Sequence, residues 1–296
     1  MFKKLAILGA ALAVFGATEA GAQDFYGALQ KIKESGQIVI GHRESSVPFA
    51  YIGPDQKPIG YTMDLCMRIV DEIEKEIGAD SLDIKLVPVT PQTRIPLIAN
   101  GNIQLECGST TNTMTRQKQV DYAYTTFITG TKLLVKKASG IQEVEDLAGK
   151  AIALAQGTTN ERAIKAAIEK FNVQDVKILN VKDHAEGFLA LETDRVDAYS
   201  TDDILLYGLI SKSKSPDDYA VVGRFLSFDP YAIMLPRDDS AMRLIANRTL
   251  AGLFRSGEIE QIYDKWFTSP IPGSEPLNVP LSDTLRTNFQ VHAFPG

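Results

Sequence analysis

Hydrophobic and polar residues alternate along this chain with two periods, one typical of strands and one typical of amphipathic helices. The clearest helix is predicted over Met63–Ile77. Its apolar positions recur three or four residues apart, at Met63, Cys66, Ile69, Val70, Ile73 and Ile77. Charged residues lie between them, so we expect one face of this helix to pack on a sheet.

Strands and further helices alternate through the rest of the chain. Short apolar runs predict strands at Gln37–Gly41, Ile84–Pro88, Gln104–Cys107, Lys132–Lys136, Ala151–Ala155, Val176–Leu179, Ala198–Ser200 and Tyr231–Leu235. Helices are predicted around Glu161–Phe171, Ala185–Glu192, Asp203–Lys212, Ser240–Ser256 and Ile259–Phe267. This order indicates an α/β fold with largely parallel strand pairing. After Phe267, repeated prolines predict an irregular strap followed by a short polar helix.

The first 22 residues have the pattern of a secretory signal peptide. Lys3 and Lys4 precede an apolar run, and Ala20-Gly21-Ala22 offers a cleavage site of small residues. The run is short for a membrane helix, which needs about 18 apolar residues. The cleavage point has no Cys to carry a lipid, so we expect no lipid anchor. We therefore expect a mature chain that begins near Gln23 and acts outside the cytoplasm.

Charge excludes one class of partner. The 296 residues carry a formal charge of −6, and loss of the leader removes two Lys and one Glu, which leaves 274 residues and −7. That length suits two lobes. An acidic chain argues against nucleic acid, which needs a basic surface. A local group of Arg can still bind a small anion, because salt screens charges beyond about 10 Å.

The chain has two Cys, Cys66 and Cys107. In an oxidising compartment an even pair favours a disulfide, with two buried thiols as the alternative. Two sulfurs cannot complete a zinc site, and His42 does not supply the missing ligand spacing. The common motifs of hydrolases, zinc proteases, phosphate loops and dinucleotide sites are also absent from the sequence. We therefore expect no catalytic residue, metal or cofactor, and favour binding over catalysis.

Several polar residues that could bind an anion lie directly after predicted strands. Open α/β sheets place their ligands at this position. Arg43 follows the first strand, although a cation there is often simply solvated. Arg94 follows the second strand and has the same surface alternative. A third segment, Glu106–Asn112, leads to Arg116 and ends a strand in a Gly- and hydroxyl-rich turn that we expect to open a short helix. Such a turn can bind a carboxylate or act as an ordinary helix cap.

Three further candidates lie in the second half of the chain. The turn Gln156–Asn160 precedes a predicted helix whose N-terminus can receive a carboxylate. His184 and Asp202 both follow predicted strands. A single His is more often structural, and Asp202 with Asp203 has the alternative role of capping the next helix.

Together these segments resemble the bacterial type 3 solute-binding proteins that deliver polar amino acids to ABC transporters, in particular the glutamate/aspartate-binding branch. The resemblance covers nearly the whole mature chain. It rests on Val39–Phe49, Arg94–Leu97, Glu106–Asn112, Gly157–Thr159, Lys182–His184, Asp202–Asp203 and Asp264–Phe267. The family implies a type II periplasmic binding protein fold, with two lobes joined by two crossing hinge strands. Lobe 1 would comprise residues 23–130 and 227–296, and lobe 2 residues 131–226.

The resemblance also implies a ligand, its contacts and its destination. Glutamate or aspartate would be captured in the periplasm by a protein that we expect to be a monomer, and handed to an inner-membrane ABC permease. Arg116, Thr111 and Thr159 would bind the α-carboxylate. Asp202 and Ser109 would hold the α-ammonium. The side-chain carboxylate would contact Arg43, Arg94 and His184.

One residue departs from the family pattern. The family commonly has a Ser hydroxyl at the position of Pro91, near the expected side-chain carboxylate. Pro91 cannot donate a hydrogen bond there, so the preference between glutamate and aspartate stays open.

Two other functions remain alternatives at this point. Some periplasmic enzymes of the same fold, such as cyclohexadienyl dehydratases, would use a cleft carboxylate or His as an acid or base. The second alternative is a ligand-binding sensor that docks on a membrane receptor. The sequence does not exclude it, because docking surfaces have no recognisable motif.

Overall fold

Two five-stranded sheets and one small three-stranded sheet form the frame of residues 25–295, the part of the chain that this computed structural model describes. The predicted signal peptide, residues 1–22, lies outside the described residues. The strands are β1 Gln37–His42, β2 Ser45–Ser46, β3 Ala50–Ile52, β4 Pro58–Ile59, β5 Asp83–Pro88, β6 Leu105–Cys107, β7 Val120–Thr129, β8 Thr131–Lys136, β9 Ala151–Ala155, β10 Lys177–Val181, β11 Ala198–Asp202, β12 Tyr219–Val222 and β13 Asp229–Pro236.

Helices flank both large sheets. Within the same residues the α-helices are α1 Gly27–Ser35, α2 Tyr61–Ile77, α3 Arg94–Ala99, α4 Thr159–Lys170, α5 His184–Glu192, α6 Asp203–Ile210, α7 Ser240–Ser256, α8 Glu258–Phe267 and α9 Asp283–Val291. No helix among residues 25–295 is both long and apolar enough to cross a bilayer. The predicted α/β class is confirmed, and each large sheet with its helices forms one lobe.

The strand order explains how the chain moves between the lobes. The first sheet has the order β5-β1-β6-β13-β7 and the second the order β10-β9-β11-β8-β12. The chain crosses from β7 to β8 through Gly130, and returns from β12 to β13. These crossings run side by side, because Leu226 N–H donates to Thr131 O at 3.0 Å and Thr131 N–H donates to Ser227 Oγ at 3.0 Å.

The pairing is mixed rather than largely parallel. β1 pairs in parallel with β5 and β6, and β9 with β10 and β11. β13 and β8, however, run antiparallel to both of their neighbours. Parallel neighbours need a crossover connection, usually a helix. The chain enters β8 directly from β7 and β13 from β12 without an intervening helix, so β8 and β13 run against the other strands of their sheets.

The helix α2 confirms the predicted amphipathic pattern and starts two residues earlier than predicted. Leu65, Cys66, Ile69, Val70 and Ile73 are all buried in the core of the first lobe. The early start has a local cause: Gly60 adopts a φ of 142°, and the N–H groups of the next two residues donate to carbonyls of the preceding loop. Loop carbonyls thus satisfy donors that a helix start leaves unpaired.

The sequence patterns missed some elements and overstated one. The ten-residue strand β7 was not predicted, because its burial does not alternate and its register with β13 shifts twice. The helix expected directly after Glu106–Asn112 is absent from the described structure, and only a 3₁₀ turn forms, at Arg116–Lys118. Asn112 N–H donates to Pro230 O, and Ala232 N–H donates to Thr110 O, which holds this segment extended beside β13.

Candidate ligand-binding site

A small buried cavity lies between the two lobes, at the carboxyl ends of β1, β6, β9 and β11. The space inside it that the centre of a water-sized sphere can occupy is about 10 Å³. Its walls are Arg43, Arg94, Ser109, Thr111, Thr158, Thr159, Asn160, His184, Asp202 and Leu205. Seven of the eight predicted ligand-binding residues are therefore brought together here from distant parts of the chain. The eighth, Arg116, lies just behind the wall.

The lobes meet at this cavity through direct polar contacts. The hydroxyls of Thr111 and Thr159 are 3.2 Å apart. Arg116 of the first lobe donates from Nη1 to Thr111 O at 2.8 Å and from Nη2 to Gly157 O of the second lobe at 3.1 Å. Burial, followed by repulsion from Arg94, lowers the pKa of Arg116 to about 10, so it remains a cation at neutral pH.

Two buried guanidinium groups define one end of the cavity. Arg43 is 1% exposed and Arg94 is 2% exposed. Arg94 Nη1 donates to Ser109 O at 3.2 Å and to the hydroxyl of Thr110. Arg43 Nη2 and Arg94 Nε have no hydrogen-bond partner among the described residues. Unpaired buried donors are costly, and the cost is largest for charged groups, so this end of the cavity suits an anion.

Glu106 is a buried acid beneath these cations that the sequence analysis did not single out. Its side chain is fully buried, and Oε2 accepts from Thr110 Oγ1 at 2.6 Å. Arg94 Nη1 lies 3.8 Å from its Oε1. The pKa of Arg43 is lowered to about 10, first by burial and then by Arg94, while Glu106 opposes that shift. Glu106 therefore offsets one of the two positive charges at this end.

His184 supplies a neutral donor beside the two cations. Its Nδ1 lies 2.7 Å from Tyr199 Oη. Burial, together with the charges of Arg43 and Arg94, holds the pKa of His184 well below its usual value. A neutral imidazole has one donor and one acceptor nitrogen. In the tautomer in which Tyr199 donates to Nδ1, Nε2–H is the donor.

Asp202 lies at the end of β11 and is the buried acid that lines the cavity. Its Oδ1 accepts from Asn160 Nδ2 at 2.7 Å, and its Oδ2 accepts from the hydroxyl of Tyr231. Burial and then Asp229 raise the pKa of Asp202 to about 8. The alternative role as a helix cap is contradicted for Asp202, whose side chain makes no bond to α6, whereas Asp203 accepts from Ile204 N–H at 2.8 Å.

The turn before α4 combines a cap with a place in the cavity wall. Thr158 caps this helix by accepting from Glu161 N–H at 3.0 Å, and Thr159 contacts Thr111 across the cleft. Pro91 is buried outside the cavity wall, and its carbonyl packs against Gly157 of the other lobe. The ordinary capping role and a position in the site coexist here.

A larger surface groove between α2 and α7 is a weaker candidate. Its Arg68 and Arg248 are about half exposed and already pair with Glu258 at 2.5 Å and Glu76 at 2.9 Å. Exposed pairs of this kind interact weakly and are screened by salt. Residues 25–295 also contain no group of three or more His, Cys, Asp or Glu that could hold a metal ion. We therefore place the site in the buried cavity.

The two Cys are joined by a disulfide, with their Cα atoms 6.3 Å apart. The bond connects α2 to β6, the strand that carries Glu106 and leads to Ser109 and Thr111. The prediction of a bridge is confirmed. The bridge lies behind the cavity and anchors one of its walls.

Comparisons with known proteins agree with this geometry. The sequence matches the family model of the bacterial extracellular solute-binding proteins, family 3, over residues 38–269. It is 44% identical over 267 residues to the L-glutamate/L-aspartate-binding protein of Pseudomonas aeruginosa, which covers 90% of this chain and 88% of that relative. It is 41% identical over 263 residues to the glutamate/aspartate import solute-binding protein of Escherichia coli strain K12, which covers 88% of this chain and 87% of that relative.

A solved structure also matches the fold of both lobes. An ancestral arginine-binding protein bound to arginine superposes with a TM-score of 0.69 at 27% identity. The match covers 78% of this chain and 98% of that protein.

Proposed function

The chain belongs to family 3 of the bacterial extracellular solute-binding proteins, and from that premise we propose that it captures L-glutamate or L-aspartate between its lobes for an ABC importer. The relatives named above are named for binding and import rather than for a reaction. The chain is accordingly a solute-binding protein and not an enzyme, and the dehydratase alternative is set aside.

The observation that carries the proposed ligand is the charge pattern of the cavity. Arg43 and Arg94 lie at one end with unpaired donors, Arg116 donates to the carbonyl of Thr111, and Asp202 is the acceptor. A molecule with two carboxylates and one ammonium satisfies all three groups. Arg suits the carboxylates because its planar fork donates two parallel hydrogen bonds.

The proposed contacts assign each end of the ligand to named residues. Arg116, Thr111 and Thr159 bind the α-carboxylate, and Asp202 with Ser109 holds the α-ammonium. Arg43, Arg94 and the neutral His184 bind the side-chain carboxylate. Glutamine is disfavoured, because its amide leaves part of a buried guanidinium unpaired.

Overall charge supports the same class of ligand. With every side chain counted in its charged form, the three Arg together with Asp202 and Glu106 give the residues in and behind the wall a net charge of +1. Glutamate and aspartate each carry a net charge of −1, so either one neutralises the closed site. A neutral amino acid leaves one buried positive charge without a partner, which is costly.

The structure places Pro91 outside the cavity wall and against Gly157 of the other lobe, so its lack of a hydroxyl removes no contact from this cavity. We propose that the cavity accepts both acidic amino acids.

We further propose the compartment and the division of the chain. The signal sequence directs the mature protein, from Gln23, to the periplasm, where it acts as a monomer and delivers its ligand to an inner-membrane permease. The lobes divide at 130/131 and 226/227, where the two crossings lie side by side. Rotation about these short segments opens and closes the cleft.

A screen of the amino acids by thermal shift, followed by calorimetry, tests the proposed function. A ligand that binds only the folded protein raises its stability by mass action. We expect glutamate and aspartate to give the large shifts. Neutral and basic amino acids as the tightest ligands would contradict the proposal.

Two substitutions test the assignment of the cationic end. Arg43→Ala and Arg94→Ala should each weaken glutamate binding by at least about tenfold in calorimetry, because each removes charged hydrogen bonds from a buried carboxylate. Arg248→Ala removes an Arg from the outer surface of the same lobe and serves as the control. Near-normal affinity in both cavity variants would overturn the assignment.

A further inference from the structure

Tyr231 belongs to the first lobe, yet its hydroxyl donates to a carboxylate of the second lobe. It lies on β13, is 1% exposed, and packs edge-on against Phe49 with ring centroids 5.1 Å apart. Its hydroxyl donates to Asp202 Oδ2. Tyr231 does not line the cavity, so its effect on a ligand must pass through Asp202.

The second oxygen of Asp202 is held from its own lobe. Asn160 Nδ2 donates to Asp202 Oδ1 at 2.7 Å and to Thr131 Oγ1 at 2.7 Å. Thr201 donates to Asn160 Oδ1 at 3.3 Å, which fixes the direction of the amide. Both oxygens of the carboxylate are thereby oriented by neutral donors.

This group is also connected to both hinge crossings. Thr131 is the first residue after one crossing, and its Oγ1 lies 2.7 Å from Ser227 Oγ in the other. An unbroken chain of hydrogen bonds therefore runs from Asp202 through Asn160 and Thr131 to Ser227. The acceptor is held by the same contacts that hold the crossings together.

We propose that Tyr231 is a positioning residue of the ammonium subsite: from the opposite lobe, it holds the Asp202 carboxylate in the orientation that receives an α-ammonium and favours its charged form. The inference rests on the proposed function, because it takes the ligand to be an α-amino acid. It adds a residue that makes no ligand contact and that acts equally on every amino-acid ligand.

The surroundings of Asp202 show why such a donor is needed. Asp229 on β13 and Asp203 on α6 both repel a negative charge on Asp202, and Tyr199 on its own strand lies close by. Burial disfavours the charge further. The hydroxyl of Tyr231 and the amide of Asn160 are the groups that favour the carboxylate form.

Tyr231→Phe removes this donor while keeping the buried ring. We expect about tenfold weaker binding of glutamate and of aspartate, with the ratio of the two affinities unchanged. The pH at which affinity reaches half of its maximum should also move upward, because a carboxyl that loses a donor to its charged form ionises at higher pH. Calorimetry across the pH range measures both quantities.

Tyr61→Phe is the matched control. Tyr61 is fully buried in the same aromatic cluster, 6.1 Å from Phe49, but its hydroxyl donates to Thr126 O at 3.0 Å within the first lobe. We expect this variant to melt at a lower temperature than the wild type and to keep its affinity and its pH midpoint.

The outcomes separate the inference from the proposed function. Normal affinity in Tyr231→Phe overturns the inference, and so does weaker binding with an unshifted pH midpoint, since Tyr231 would then act by packing. If the wild type binds some other amino acid, the acidic ligand is wrong, and the same variants test Tyr231 with that ligand. If the wild type binds no amino acid, the proposed function fails and the inference falls with it.

Discussion

At the scale of single residues, Asp202 shows how strongly the fold changes the chemistry of a side chain. An exposed Asp is ionised at neutral pH, with a pKa of about 4. Burial, followed by Asp229, raises the pKa of Asp202 to about 8. The unliganded closed cleft therefore holds this carboxyl mainly protonated at pH 7, although an ammonium ligand needs the carboxylate.

We predict that the affinity for glutamate falls as the pH is lowered through the pKa of Asp202, because a protonated carboxyl cannot receive the ligand's ammonium. Calorimetry across a series of pH values measures the change. An affinity that stays constant between about pH 8 and about pH 5 would show that Asp202 remains ionised throughout this range.

Some residues of the site could be selected from their positions in the sequence, and others could not. Arg43 and Arg94 were selected because they follow strands, and the structure places both in the cavity wall. Glu106 and Tyr231 were missed, because the sequence presents them only as parts of strands. Tyr231 acts through its contact with Asp202, which is 29 residues away in the sequence. Glu106 matters because its side chain is completely buried.

At the scale of elements, the contact between α2 and β6 combines packing with a covalent bond. The sequence predicted both elements from their apolar patterns, and the disulfide joins residues 41 positions apart. A loop of this length restricts the unfolded chain strongly. The bridge thereby stabilises the strand that leads to Ser109 and Thr111.

We predict that Cys66→Ala combined with Cys107→Ala lowers the free energy of unfolding by about 4 kcal/mol, from the loop-closure entropy of the cross-link. Urea unfolding of the variant and the wild type measures the difference. Reduction of the wild type should have a comparable effect. Two thiols that alkylate freely in the native, unreduced protein would contradict the presence of the bridge.

At the scale of the whole molecule, closure of the cleft depends on one close approach away from the ligand. Gly208 on α6 of the second lobe packs against the backbone of Val47 in the first lobe. A Cβ at position 208 would lie 2.9 Å from the carbonyl carbon of Val47 and closer still to its oxygen. Only Gly allows the lobes to meet here, and Leu205 of the same helix reaches the core of the first lobe.

We predict that Gly208→Ala weakens glutamate and aspartate binding by the same factor, at least about tenfold, because it destabilises only the closed form. The melting temperature of the free protein should not fall, since Ala favours a helix over Gly by about 1 kcal/mol. Calorimetry gives the affinities, and X-ray scattering should show contraction with glutamate in the wild type only.

Gly252→Ala provides the control for this prediction. Gly252 also lies within a helix, α7, and a Cβ there meets no atom within 4 Å. This variant should bind and contract like the wild type. Full contraction in Gly208→Ala would contradict the role assigned to that contact.

The sequence by itself determined the features that depend on neighbours along the chain. Apolar periodicity fixed α2 and most strands, because a helix or strand buries one face at a constant spacing. The resemblance to a family supplied the expected ligand contacts. Only the tertiary structure decided which side chains share the cavity, which crossings lie together, and that Tyr231 and Gly208 bridge the lobes. Such pairs depend on the relative positions of two sheets, which local periodicity does not specify.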